Sequence, residues 1–165
     1  MEIDGEQPSE RAGEIQAIMA SAVESLFASI NPAVLNGADL QGVALRAFDL
    51  VLGVQDSPSP VQRSIYSSLI LLFRRIGDAG HGDSIWSDNC RKRLGALLFR
   101  PDPGSEALRL LRADAIVQLV KISPTHATAM AGDILALQEK ESAVAVRERL
   151  ASAPLPRAGG SPPLR

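Results

Sequence analysis

Ser59 to Gly77, SPVQRSIYSSLILLFRRIG, constrains the fold of this chain more than any other stretch. Val61, Ile65, Leu69, Leu72 and Ile76 recur at helical spacing along one face, and Ile70, Leu71 and Phe73 widen that face. A helix apolar over so much of its circumference needs cover on at least two sides, which makes it the central helix of an all-helical assembly. Its ends are marked as well. Ser59 is the expected cap, Pro60 takes the first helical position where a missing N–H costs nothing, and Gln62 is spaced to close a capping box. Arg74 and Arg75 suit the carbonyl end of the helix dipole, and Gly77 is the expected left-handed stop.

The rest of the chain reads as helices of similar length. A first helix is expected over about residues 10–30, capped by Ser9, with a stripe of Ile15, Ile18, Ala22, Leu26 and Ile30 thickened by Met19, Val23 and Phe27. Asn31-Pro32 stops it, because a residue before proline avoids helical angles, and Asn36-Gly37 reads as a turn. A second helix runs from Asp39 to Gly53, with Leu40, Val43, Ala44, Ala47, Leu50, Val51 and Val54 inward. A fourth begins near Asp83 or Ser84 and turns Trp86, Cys90, Leu94, Leu97 and Leu98 inward. Arg100 to Gly104, RPDPG, breaks the chain, and Ser105 caps a fifth helix with Leu108, Leu111, Ala115, Leu119 and Ile122 buried. Ser123-Pro124 opens a sixth, with Ala127, Met130, Ala131, Ile134 and Leu137 inward. Gln138 to Glu141 either interrupts that helix or forms an exposed turn of it, and Val144, Val146 and Leu150 give a last, weaker segment. The expected organisation is a loose lead-in over 1–8, one helical domain over 9–153, and a disordered Pro/Gly-rich tail over 154–165.

Alternate helix starts are evenly spaced: Ser59 to Ser105 is 46 residues and Asp39 to Asp83 is 44. That is the period of arrays built from helical hairpins, none of which can bury its apolar face alone. The segments SDNCRKRLGALLF and SAVAVRERLASA resemble the second helix of HEAT repeats, in which a basic residue after a small or β-branched one precedes an Ala/Leu stripe. The resemblance covers about residues 38–152, and successive units share no residue-by-residue identity. It implies six to seven antiparallel helices stacked as a HEAT- or armadillo-like α-solenoid. An irregular helical bundle accounts for the same spacing, and the array is the favoured reading.

Composition narrows the function classes. The one cysteine, Cys90, excludes an intrachain disulfide framework and a cysteine-based zinc site. There is no basic stretch followed by an apolar core at the N-terminus and no apolar run near the ~20 residues a bilayer span needs, so a cytoplasmic location away from the membrane is expected. Charge is uneven: residues 1–60 hold two Lys/Arg against nine Asp/Glu, and residues 61–165 hold fifteen against ten, which gives −7 and +5 for the total of −2. The two halves attract each other, or the second offers a basic face to an acidic partner.

No constellation of reactive groups stands out. His81 and His126 fall in separate segments without metal-ligand spacing. His81-Gly82-Asp83-Ser84 puts an imidazole, a carboxylate and a hydroxyl in one loop, but sequence adjacency is no geometry, and a solvated loop is the commoner outcome. The glycines from Gly77 to Gly82 match neither a Walker loop nor GxGxxG and follow no strand. Cys90 lies on an inward stripe, as a small core residue does. No cofactor or metal is called for. The expected role is a non-catalytic protein-interaction or adaptor module. Arg74, Arg75, Arg91, Lys92 and Arg93 would form an electrostatic contact and Trp86 an anchor for a partner with an acidic or amphipathic segment. Nucleic acid is disfavoured by the net negative charge and 4% aromatic content. The alternatives are a small acidic helical chaperone or accessory factor, for example of a bacterial secretion system, and an enzyme or ligand binder using the His81–Ser84 loop.

Overall fold

A computed structural model describes residues 8–100 and 104–156. Among these, the chain forms seven α-helices and one 3-10 turn, and no strand. The elements are α1 (Pro8–Ala28), α2 (Gly37–Leu52), α3 (Ser59–Asp78), the 3-10 turn Gly82–Ile85, α4 (Asp88–Leu98), α5 (Glu106–Ile122), α6 (Pro124–Lys140) and α7 (Val144–Ala151). The lead-in over 1–7, the Pro101–Pro103 part of the expected break and the tail over 157–165 lie outside the described residues. Leu155, in the stretch expected to be loose, is partly buried against the core.

Odd-numbered helices stack in one layer, α1 on α3, α3 on α5 and α5 on α7, while α2 packs on α4 and the 3-10 turn. Covered by α1 and α5, α3 buries Val61, Ile65, Leu69, Ile70, Leu72, Phe73 and Ile76, as its sequence requires. Leu71 alone of its apolar set stays exposed. The layering is that of a solenoid, and the polar contacts repeat with it. Gln41 reaches the carbonyls of Ser84 and Trp86, Asp49 meets Arg93, Asp56 meets Arg100, and Arg75 reaches Ile30, at sequence separations of 43 to 45. Toward the C-terminal end the spacing contracts, with Arg109 on Glu141 and Arg149 on Asp114 at separations of 32 and 35. The shortening follows from the eight-residue α7 and from α5 and α6 being joined only through Ser123.

Several expected helix ends move. Ser59 lies inside α3, whose cap position is Pro58 and receives no side-chain bond. Gln62 does not close the expected box; its side-chain amide donates to the Ser57 carbonyl at 2.8 Å. Gly77 is helical, and the left-handed residue is Gly80 at φ 77°. The amides of His81 and Gly80 bond to the Ile76 and Gly77 carbonyls, which closes α3 as a Schellman motif. The Asn36-Gly37 pair does not turn the chain; Asn36 caps α2 by accepting the Asp39 amide at 2.8 Å. The fourth helix starts later than Asp83, at Asp88 under a Ser87 cap, because residues 82–85 wind into the 3-10 turn. Ser105 and Ser123 cap α5 and α6 as expected. α1 is already helical at Pro8, so Ser9 does not cap it. α6 runs through Lys140, so of the Gln138–Glu141 run only Glu141 falls in the break before α7, and it is buried.

Gly82 fixes how closely the layers approach. A Cβ there would sit 1.7 Å from the Ile122 carbonyl oxygen, so the end of α5 packs directly on the glycine backbone. Gly77 faces the Ile122 side chain in the same way, its hypothetical Cβ 2.5 Å from Cγ2.

Candidate functional site

The six residues expected to meet a partner divide by what already holds them. Arg75 is engaged inside the fold: its guanidinium donates to the Ile30 carbonyl at 2.7 Å and the Phe27 carbonyl at 2.8 Å, satisfying carbonyls at the C-terminal end of α1. Arg93 pairs with Asp49 and donates to the Asn89 carbonyl, tying α4 to α2. Trp86 is half-buried, with its ring edge-on to His126 at 4.9 Å between centroids. Arg74, Arg91 and Lys92 form no ion pair or hydrogen bond with any described residue, and Arg74 and Lys92 are exposed. The structure also separates them, since the stacking neighbours of α3 are α1 and α5 while α4 lies against α2. Arg74 and the Arg91–Lys92 pair therefore stand on helices of different layers.

Arg74 belongs to a groove of about 670 Å³ where the C-terminal ends of α3 and α5 come together. Gln118 and Lys121 line its α5 side, and Asp78 and Asp83 lie on the α3 side and the 3-10 turn. Lys121 is exposed and, like Arg74, has no partner among the described residues. Asp83 accepts a hydrogen bond from the Ser123 hydroxyl at 2.9 Å, so one of the two carboxylates is already tied to the α5–α6 junction. The groove thus presents two cations without an ion pair, from adjacent helices, together with the Gln118 amide and the carboxylates of Asp78 and Asp83. Sequence reading named Arg74 but not Lys121 or Gln118, which become its neighbours only through the stacking of α5 on α3.

The His81–Ser84 loop assembles no triad. Ser84 Oγ lies 3.4 Å from His81 Nδ1, but the carboxylate that would have to orient the imidazole turns to Ser123 instead. Burial pushes the Cys90 thiol up, against a Ser87 hydrogen bond and the nearby Arg93 charge, which keeps it in the unreactive protonated form. Among the described residues, no group of three or more His, Cys, Asp or Glu could hold a metal ion. No helix there is long and apolar enough to cross a membrane.

Among the polar residues that are interior without the sequence reading having marked them are His126 and Glu141. His126 is buried between α6 and the 3-10 turn, with Nε2 3.2 Å from the Ile85 carbonyl. A carbonyl only accepts, so the proton is on Nε2; buried Nδ1 has no hydrogen-bond partner. Burial lowers the pKa of the ring, opposed by the Ile85 bond and by Asp83. A signal existed, since His126, Met130 and Ile134 recur at i, i+4 and i+8 on the inner face of α6. Glu141 accepts Arg109 Nε at 3.0 and 3.2 Å and the Ala143 amide at 2.9 Å, joining α5 to the start of α7. Nothing local distinguishes it from the three polar residues before it.

Compared with known families, residues 1–154 match the family described as ECM29, C-terminal ARM-like repeats. No curated protein and no solved structure matches the chain. The match spans nearly the whole sequence, and the layered helices and the 43–45-residue spacing of contacts are those of such repeats. The chain belongs to this family of ARM-like repeats.

Proposed function

We propose that this member of the ECM29 C-terminal ARM-like repeat family is a non-catalytic protein-interaction module that receives an acidic or amphipathic partner segment at the α3/α5 groove. One observation carries the reading: Arg74 and Lys121, on adjacent helices of one layer, face the same groove without an internal partner. Neither cation is held in an ion pair by Asp78 or Asp83, the carboxylates that line the same groove, so each is available to a carboxylate brought in by another protein. Arg91 and Lys92 on α4 offer a second, separate basic contact, with Arg75, Arg93 and Trp86 holding the helices that present both. A cytoplasmic location goes with this reading.

The test is a pull-down from cell lysate with the intact chain, a double variant Arg74→Glu/Lys121→Glu, and a second double variant Arg91→Glu/Lys92→Glu. Circular dichroism verifies that each is folded. A partner retained by the α4 variant and lost by the groove variant, with capture weakening as salt rises, supports the reading. A partner captured equally by all three removes the basic residues from the interface.

A second reading is favoured by a different feature. Met19, Leu26, Leu50 and Val54 line an apolar groove of about 330 Å³ between α1 and α2, the kind of surface on which a chaperone-like accessory factor would hold a client's amphipathic segment. It predicts client binding insensitive to salt.

A further inference from the structure

His126 and Asp83 meet at one hydroxyl. Ser123 Oγ donates to Asp83 Oδ1 at 2.9 Å and accepts the His126 backbone N–H at 3.3 Å. His126 therefore stands in the first turn of α6 with its backbone one serine away from a carboxylate. Its side chain is buried, and the Nε2 proton is committed to the Ile85 carbonyl. Nδ1, the ring nitrogen nearer the backbone, is buried without a hydrogen-bond partner. Asp83 is placed differently. It is exposed and lines the α3/α5 groove. Gly82 beside it is pinned on the Ile122 backbone, so the turn is fixed while the Asp83 side chain has solvent in which to rotate.

A second proton on the ring puts an N–H at Nδ1 with nothing to receive it, at the positive end of the α6 dipole. Burial disfavours that charged form most; the Ile85 bond and the Asp83 carboxylate on the 3-10 turn favour it, and Arg91 on α4 opposes it. The Trp86 ring packs against the imidazole at 4.9 Å between centroids and carries no charge. From α2, the Gln41 amide goes to the Ser84 and Trp86 carbonyls, and from the α5–α6 junction the uncharged Ser123 reaches Asp83. The chain's other imidazole, His81, lies at the head of the turn beside Ser84 Oγ. Among these groups Asp83 is the carboxylate that can answer a new donor.

We propose that protonation of His126 draws the Asp83 carboxylate from the Ser123 hydroxyl to the Nδ1–H of the imidazolium, and so withdraws a negative charge from the α3/α5 groove in acid. One proton is taken from solvent and one hydrogen bond replaces another. An acidic partner segment then meets Arg74 and Lys121 with Asp78 as the remaining lining carboxylate. That consequence rests on the groove being the partner site; the exchange itself does not.

The chain's two histidines give two imidazole signals in long-range 1H–15N spectra, assigned with His81→Gln, so the ring is followed without altering it. Expected are the Nε2–H tautomer at about pH 7.5 and a protonation step of the folded chain below pH 6.5. Ser123→Ala, verified as folded by circular dichroism, should move that step to higher pH, because Asp83 loses its competing partner. Loss of the α6 cap alone would leave the dipole less compensated and move it the other way. Asp83→Asn should move it to lower pH. A step that Ser123→Ala leaves in place or lowers overturns the exchange, as does a ring that stays neutral until circular dichroism shows unfolding. For the groove the probe is a hexaglutamate peptide, titrated by calorimetry into the His81→Gln chain at about pH 7.5 and about pH 5.5. Binding about two- to fivefold tighter at the lower pH is expected, with Asp83→Asn in that background holding the tighter affinity at both. Equal affinity at both, with the imidazole titrating as expected, overturns the effect on the groove. A peptide bound at neither pH overturns the groove reading together with that effect, and the imidazole titration still decides the exchange.

Discussion

Replacing Glu141 by Gln removes a charge while leaving a side chain of the same size in place. Glu141 is only 4% exposed at its side chain, and Arg109, which donates to both its oxygens, is 23% exposed. Breaking a fully buried pair costs about 3–5 kcal/mol, and an exposed one contributes about 0.2–1 kcal/mol. With one partner buried and the other partly wet, and with glutamine still able to accept the Ala143 amide, the expected loss is about 2 kcal/mol. In urea unfolding, with m of about 1–3 kcal/mol/M, the midpoint falls by roughly 1 M. The pH dependence supplies a second check. Burial alone would raise the Glu141 pKa, but the Arg109 hydrogen bond, the Ala143 amide and the charges of Arg109 and Arg112 together hold it below the usual 4.5. In the window between the folded and unfolded values the unfolded chain binds the extra proton, so the carboxylate's contribution is full above 4.5 and disappears as pH falls through the lowered folded value. Parent and variant should therefore differ at pH 7 and converge in strong acid. A gap below about 0.5 kcal/mol at pH 7, within the scatter of surface substitutions, or a gap unchanged in acid, would refute the assignment.

Three further outcomes follow from the same contacts. Gly82→Ala forces a Cβ into the Ile122 carbonyl, and since backbone cannot yield as a side chain does, it should cost at least about 3 kcal/mol, read by urea unfolding, at the upper end of overpacking penalties. Ser123→Ala removes the α6 cap and the bond to Asp83 and should cost about 1–2 kcal/mol, whereas Ser59→Ala, at a serine without a capping bond, should stay within about 0.5 kcal/mol; equal losses would contradict the cap assignment. His126 is buried with its pKa lowered from 6.5, so the unfolded chain takes up a proton the folded ring resists and stability should fall as pH drops below 6.5. The slope of unfolding free energy between pH 6.5 and 5 should flatten in His126→Leu.

The sequence alone determined the kind of elements and bounded their number at six to seven helices, without the 3-10 turn at Gly82–Ile85. Apolar periodicity located every helix to within a few residues at its ends; the 46-residue spacing from Ser59 to Ser105 survives nearly unchanged between the starts of α3 and α5, whereas that from Asp39 to Asp83 does not, since α2 starts at Gly37 and α4 only at Asp88. Those signals are local, resting on one helix's own face and its own first turn. Which apolar face is covered is a different matter. The stripe of α1 reads as clearly as that of α3, yet Ile15 and Ile18 of the first lie open while the second is enclosed, because burial depends on whether a neighbouring helix lies on that side. Charge was read least well for the same reason. Arg74 and Arg75 are adjacent in sequence, but one faces a solvent groove and the other caps the end of α1. Glu141 stands in a run of polar residues and is nonetheless the carboxylate that joins α5 to α7. A charged side chain takes its role from the partner within about 4 Å, and in a stacked array that partner comes from the next repeat, some forty residues away, where no local pattern can register it.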